Sequence, residues 1–335
     1  MHNFLDPAIL FFLLGLMAGM FKSNLEIPPQ ISRFLSLYLL MALGLKGGFA
    51  LAASGIGGTV ALSLGCAVLL AVVVPLAGHA LLRRFLSGYD AAALAAAYGS
   101  VSAVTFITAT QFLDNQGIAY GGHMAAAMAL MESPAIVIAV LFANRLRREA
   151  DARLVASGGT AALAAHGGPS SHGGIGAILR ESLTDGAQLV LLGSLAIGMI
   201  TGDAGKEAMQ PFSGGLFKGM LALFLLDMGL LAARSMAGIR GRSPWLLAYG
   251  VVAPPVHAVL ALGLAMAAGL GVGDGALLMV LAASASYIAV PAAVRMAIPE
   301  ANPSLYIGMA LAVTFPVNVL LGIPLYTQAA AHMLS

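Results

Sequence analysis

Apolar residues run along this chain in long unbroken blocks, without the strict alternation that marks membrane β-strands. Ten blocks stand out, at about residues 7 to 21, 33 to 53, 59 to 86, 90 to 113, 121 to 144, 186 to 202, 213 to 235, 243 to 271, 274 to 298 and 303 to 333. A helix needs about 20 apolar residues to cross ~30 Å of hydrocarbon. The first and sixth blocks are shorter, so they require protein around them or a thinned bilayer. Two blocks contain a polar island: Tyr98-Gly99-Ser100-Val101-Ser102-Ala103-Val104-Thr105 in the fourth and Ala283-Ser284-Ala285-Ser286-Tyr287 in the ninth. Each lies roughly ten residues into its block, about 15 Å deep at 1.5 Å per residue, which is the bilayer midplane.

Composition turns the blocks into membrane spans. The 335 residues are 60% hydrophobic and 9% charged, whereas a soluble domain carries about 25% charge. With the N-terminus outside, the inner loops and helix ends hold Lys22, Arg33, Arg83, Arg84, Arg145, Arg147, Arg148, Arg153, Arg180, Arg234, Arg240, Arg242 and Arg295, and the outer loops hold Lys206. Inner loops retain Lys and Arg, so both termini are expected outside. The first residues lack a basic signal-peptide start, so the first block is expected to persist in the mature protein. Cys66 stands alone and can form no intrachain disulfide.

The two halves resemble each other. Leu43-Gly44-Leu45-Lys46-Gly47-Gly48 matches Leu226-Asp227-Met228-Gly229-Leu230, the serine islands match, and Glu132-Ser133-Pro134 matches Thr314-Phe315-Pro316. Five spans per half is an odd number, so the second half enters the membrane upside down. The expected fold is an all-α membrane protein of ten transmembrane helices in a five-plus-five inverted-topology repeat, with crossing helices 4 and 9 broken. Residues 1–144 form the first repeat and 186–335 the second. The Gly/Ser/Ala-rich stretch 145–185 reads as a flexible cytoplasmic linker, either an inert tether or a docking site for a regulator.

Breaks at the islands would start new half-helices near Val101 and Ala285, with positive dipole ends meeting from opposite sides. Free amides and the hydroxyls of Ser100, Ser102, Ser284 and Ser286 would then cradle a small anion. The substrate site is expected at Gly99, Ser100, Val101, Ser102, Ala103, Ser284, Ala285, Ser286 and Tyr287; the alternative is that these small residues only let helices approach closely. Away from the block ends, four charges fall within spans: Lys46, Glu132, Lys218 and Asp227. Lys218 can snorkel to the outer interface, whereas Lys46 and Asp227 could neutralise each other as a scaffold bridge or a coupling element. Glu132 could supply a carboxylate to Na⁺, carry a proton, or stabilise packing. A hard cation suits oxygen ligands, and the sodium set is expected among Ser102, Thr105, Glu132, Ser286, Thr314 and Asn318. The histidines lack metal-ligand spacing, so no metal beyond sodium and no cofactor are expected. No nucleotide loop, catalytic constellation or nucleic-acid patch is visible.

Leu43-Gly44-Leu45-Lys46-Gly47-Gly48, Tyr98 to Phe106, Glu132-Ser133-Pro134-Ala135-Ile136, Leu216 to Leu221, Ala282 to Ala293 and Gly322-Ile323-Pro324-Leu325-Tyr326 together resemble the sodium-dependent bicarbonate transporters of the SbtA type. The resemblance runs from about residue 33 to 327. It implies Na⁺-coupled symport of bicarbonate, a core domain moving against a gate domain, and a homotrimer in the bacterial plasma (inner) membrane. It also implies a cytoplasmic PII-like regulator, although residues 145–185 follow a pattern of their own. A symporter of an organic carboxylate and a Na⁺/H⁺ antiporter are the alternatives within transport, the latter disfavoured because the islands hold no carboxylate. An intramembrane enzyme using Glu132 and Asp227 lacks any supporting motif.

Overall fold

Proline sets the starts of α1 (Pro7–Met20), α2 (Pro29–Ser54), α9 (Pro244–Ala267) and α12 (Pro303–Met333). Its fixed φ suits the first helical turn, where its missing N–H has no partner to lose. Asp6 adds a side-chain cap on the Ala8 amide (2.8 Å). The other helices are α3 (Gly58–Leu82), α4 (Gly88–Gly99), α5 (Ala103–Gln116), α6 (His123–Ala156), α7 (Gly186–Gln210), α8 (Phe217–Ser235), α10 (Val272–Ala283) and α11 (Ala289–Ala297). This computed structural model describes residues 6–55, 57–156, 185–239, 241 and 243–335, and no strand occurs among them. Seven helical stretches are long and apolar enough to cross a membrane, and α1 and α10 are shorter apolar helices. The chain is a multi-pass membrane protein.

Two features depart from the sequence pattern. The helix expected to end at residue 144 continues to Ala156, because Arg145 reaches Glu149 one turn on (2.9 Å) in a stretch of good helix formers. The remainder of the expected linker, 157–184, lies outside the described residues. Helix α7 runs past residue 202, but it kinks at Gly202 (φ 52°), a left-handed conformation open to glycine.

The helices sort into two groups. Helix α1 lies along α8 and α2 lies along α7, while α3, α4, α6, α9, α10 and α12 pack on one another around the two breaks. Small residues bring the paired helices together. Gly44 and Gly48 of α2 meet Ser194 and Gly198 of α7, and Gly15 and Gly19 of α1 meet Gly229 and Ala233 of α8. Four-residue spacing puts each small pair on one helix face, where backbones can touch. Apolar faces left exposed, such as Leu10, Phe11 and Leu14 on α1 and Val252, Val256 and Val259 on α9, suit a lipid environment.

Polar anchors tie the ends of one half to the other. Asp90, in the first turn of α4, accepts from the Asn302 amide just before α12 (2.8 Å); Asp274, in the first turn of α10, accepts from the Gly121 amide just before α6 (2.6 Å). At the arginine-rich end, Arg147 Nε and one terminal nitrogen donate to the two Glu300 oxygens (2.8 and 2.7 Å), and the guanidinium also caps the Ala297 carbonyl (2.9 Å). The guanidinium holds the Glu300 carboxyl below the usual carboxylate range. A depressed carboxyl adds stability above its unfolded titration range, and that gain disappears as the pH falls through the folded value. Glu300→Gln is therefore expected to lower the detergent melting midpoint at pH 7, by no more than about 1 kcal/mol for so exposed a pair. In strong acid, with the carboxyl protonated, variant and wild type should melt alike.

Candidate functional site

The first break occupies Ser100–Ser102. Helix α4 ends at Gly99, which is pressed by Pro75 of α3 so closely that a Cβ there would stand 2.6 Å from the proline ring. Ser100 is extended (ψ −174°), and Ser102 caps α5 by accepting from the Thr105 amide (3.2 Å). The second break is longer. Helix α10 ends at Ala283, and α11 begins only at Ala289. The half-helices thus start at Ala103 and Ala289, later than the expected Val101 and Ala285. The cause in the second case is local: Ser284 Oγ turns back to the Leu281 carbonyl (2.9 Å) and stops the helix, and Ser286 Oγ takes the Val290 amide (3.3 Å) in place of a regular cap.

The two breaks touch. The Ser102 amide donates to Ser284 Oγ (3.0 Å), and the Ser286 amide donates to the Ala97 carbonyl at the end of α4 (2.7 Å). Two amides that the pattern leaves free for a ligand are therefore engaged across the islands. Of the first-turn amides of α5, Thr105 is capped, which leaves those of Ala103 and Val104 as the orphan donors of a helix N-terminus. Ser100, Ser102, Ser284, Ser286 and Thr105 are all buried. No Asp, Glu, Lys, Arg or His occurs in either island, so donors and dipoles provide the local field.

Around the islands, α12 supplies a second layer. Asn318 Nδ2 donates to the Ala283 carbonyl (2.7 Å), one of the end carbonyls that α10 cannot satisfy itself, and Tyr326 donates to Asn318 Oδ1 (3.1 Å). Thr314 donates to the Gly250 carbonyl (2.8 Å), so Tyr98 must be the donor in the 2.5 Å contact between their hydroxyls. Tyr287 packs edge-on to Phe315, itself edge-on to Phe12 of α1, and its hydroxyl reaches Met228 of α8 (3.7 Å). The second island therefore faces the α1–α8 pair directly.

The expected sodium residues are only partly gathered. Ser102 and Thr105 meet (2.9 Å between hydroxyl oxygens), whereas Thr314 and Asn318 are bonded as described. The Glu132 backbone carbonyl accepts from Ser100 Oγ (3.4 Å), but its carboxylate turns to Gln188 of α7 (2.6 Å), joining the two helix groups. Lys46 and Asp227 do not meet. Lys46 pairs with Asp114 of α5 (3.4 Å) and lies over the Phe217 ring (4.4 Å), and buried Asp227 keeps Oδ2 without a partner among the described residues. Lys218 donates to Asn115 (2.9 Å) at the end of the fold away from the arginines. Asp90, Asp274 and Gln188 escaped the pattern reading. The two aspartates left a signal, since each precedes the first serine of its island by ten residues.

The model of the Na⁺-dependent bicarbonate transporter superfamily matches this chain over residues 7–331. No curated protein matches it.

Proposed function

We propose, from the premise that the chain belongs to the Na⁺-dependent bicarbonate transporter superfamily, that it takes up bicarbonate by Na⁺-coupled symport. The α1, α2, α7 and α8 group acts as the gate, and the group around α4, α5, α10 and α11 as the moving core. The observation that carries the reading is the pair of buried breaks joined by the Ser102–Ser284 and Ser286–Ala97 hydrogen bonds. Irregular backbone at membrane depth is tolerated where protein or a cavity satisfies it, and here it brings the serine hydroxyls of both islands together with no charged side chain between them. The anion is held by Gly99 to Ala103 and Ser284 to Tyr287. Sodium binds beside it among Ser102, Thr105, Glu132, Ser286, Thr314 and Asn318, supplying the positive charge that the islands lack.

The reciprocal anchors of Asp90 and Asp274 and the swapped pairing of α1 with α8 and α2 with α7 support the inverted five-plus-five repeat. In this reading the arginine-rich end faces the cytoplasm of a bacterial cell and both termini face outward. The homotrimer and a cytoplasmic PII-like regulator, which the resemblance implies, belong to the same reading. Purified protein in proteoliposomes should accumulate ¹⁴C-bicarbonate under an inward Na⁺ gradient and not under a matched K⁺ gradient. Accumulation of acetate or pyruvate with bicarbonate left outside would instead assign an organic-anion symporter.

A further inference from the structure

A cavity of about 290 Å³ lies between gate helix α2 and core helices α5 and α6, at the end of the molecule away from the arginines. Its walls include Lys46 and Gly47 of α2, Phe106 and Asp114 of α5, and Tyr120 in the α5–α6 connection. Lys46 stands eight residues before the end of α2, about 12 Å down the wall at 1.5 Å per residue. Phe106 forms part of the lining four residues beyond Ser102, so the cavity descends to within about one helical turn of the first break. The Lys46 and Asp114 side chains are 32% and 37% exposed, open to solute without being free in solvent.

We infer that this cavity is a capture site for the substrate anion, in which the Lys46 ammonium exchanges the Asp114 carboxylate for a small oxyanion on its way to the breaks. The inference rests on the anion-symport reading. The deep site offers only neutral donors, so a full positive charge on the approach would raise the local anion concentration. Phe217, whose ring face holds the ammonium at 4.4 Å, orients it without neutralising it. The 3.4 Å bridge to Asp114 keeps the lysine paired between visits and makes the carboxylate a competitor for the same ammonium. An anion much smaller than the cavity can reach the ammonium without unpacking the walls.

The competition gives a test by sign. In proteoliposomes with saturating Na⁺, Lys46→Gln should raise the half-saturating bicarbonate concentration about tenfold, while Asp114→Asn should lower it about threefold by freeing the ammonium. A bridge that merely holds α2 against α5 predicts the same direction for Lys46→Gln and Asp114→Asn, and that outcome with normal wild-type uptake would overturn the capture site alone. Failure of the wild type to move bicarbonate on a Na⁺ gradient would overturn the transport reading and the capture site with it. The Asp114→Asn result also guards against misfolding, because a damaged protein does not gain apparent affinity.

Discussion

Ser102→Ala and Ser286→Ala are each expected to reduce Na⁺-driven bicarbonate uptake by roughly tenfold to a hundredfold while leaving the protein in the membrane. The hydroxyls have two duties that separate by magnitude. As caps, Ser102 serves the Thr105 amide and Ser286 the Val290 amide; losing such a cap costs about 1 kcal/mol. As donors to a bound ion, they supply charge-assisted hydrogen bonds worth about 1.5–3 kcal/mol each, and every 1.4 kcal/mol or so is tenfold in affinity. Transport should therefore fall much further than stability. Uptake assays on matched amounts of protein, read beside detergent melts, check both halves; wild-type uptake in either variant would remove that serine from the site.

Gly48→Leu is expected to have the largest effect on folding. A Cβ on Gly48 would come within 2.8 Å of the Gly198 Cα and the Met199 amide nitrogen, which are backbone atoms that cannot swing aside. Overpacking a tight contact costs about 1–3 kcal/mol, and here the upper end applies because α2 and α7 must separate along their length. Gly193→Leu on α7 is the control, since a Cβ there meets nothing within 4 Å. The melting midpoint should drop clearly for the first and barely for the second. Equal midpoints would mean that the close backbone contact does not hold α2 and α7 together.

The spans and the existence of both breaks were legible because each leaves a local signature. Long apolar blocks give the helices, and the clustered Gly and Ser residues give the interruptions. The exact restarts at Ala103 and Ala289 were not legible. They depend on where Ser284 and Ser286 spend their hydroxyls, and a serine can cap, back-bond or bind with no difference in sequence. Partners of buried charges were equally hidden. Lys46 and Asp227 occupy matching places in two similar stretches of sequence and invite pairing with each other. Yet Asp114, near the far end of another helix, is what the folded chain brings to Lys46. Glu132 shows the same limit, for its place before Pro134 is plain, but only the packing of α6 on α7 directs the carboxylate to Gln188.

That geometry also narrows how sodium could act. With the Ser102 and Ser286 amides engaged across the breaks, the islands alone offer few donors to an anion, and a cation alongside becomes the main source of attraction. Binding of the two ions should then be mutually dependent. Titration of purified protein with bicarbonate at fixed Na⁺ concentrations, and with Na⁺ at fixed bicarbonate, measures this directly. Na⁺ is expected to tighten bicarbonate binding and bicarbonate to tighten Na⁺ binding by the same factor, as linkage requires. Bicarbonate binding that is identical in Na⁺ and in K⁺ would contradict it.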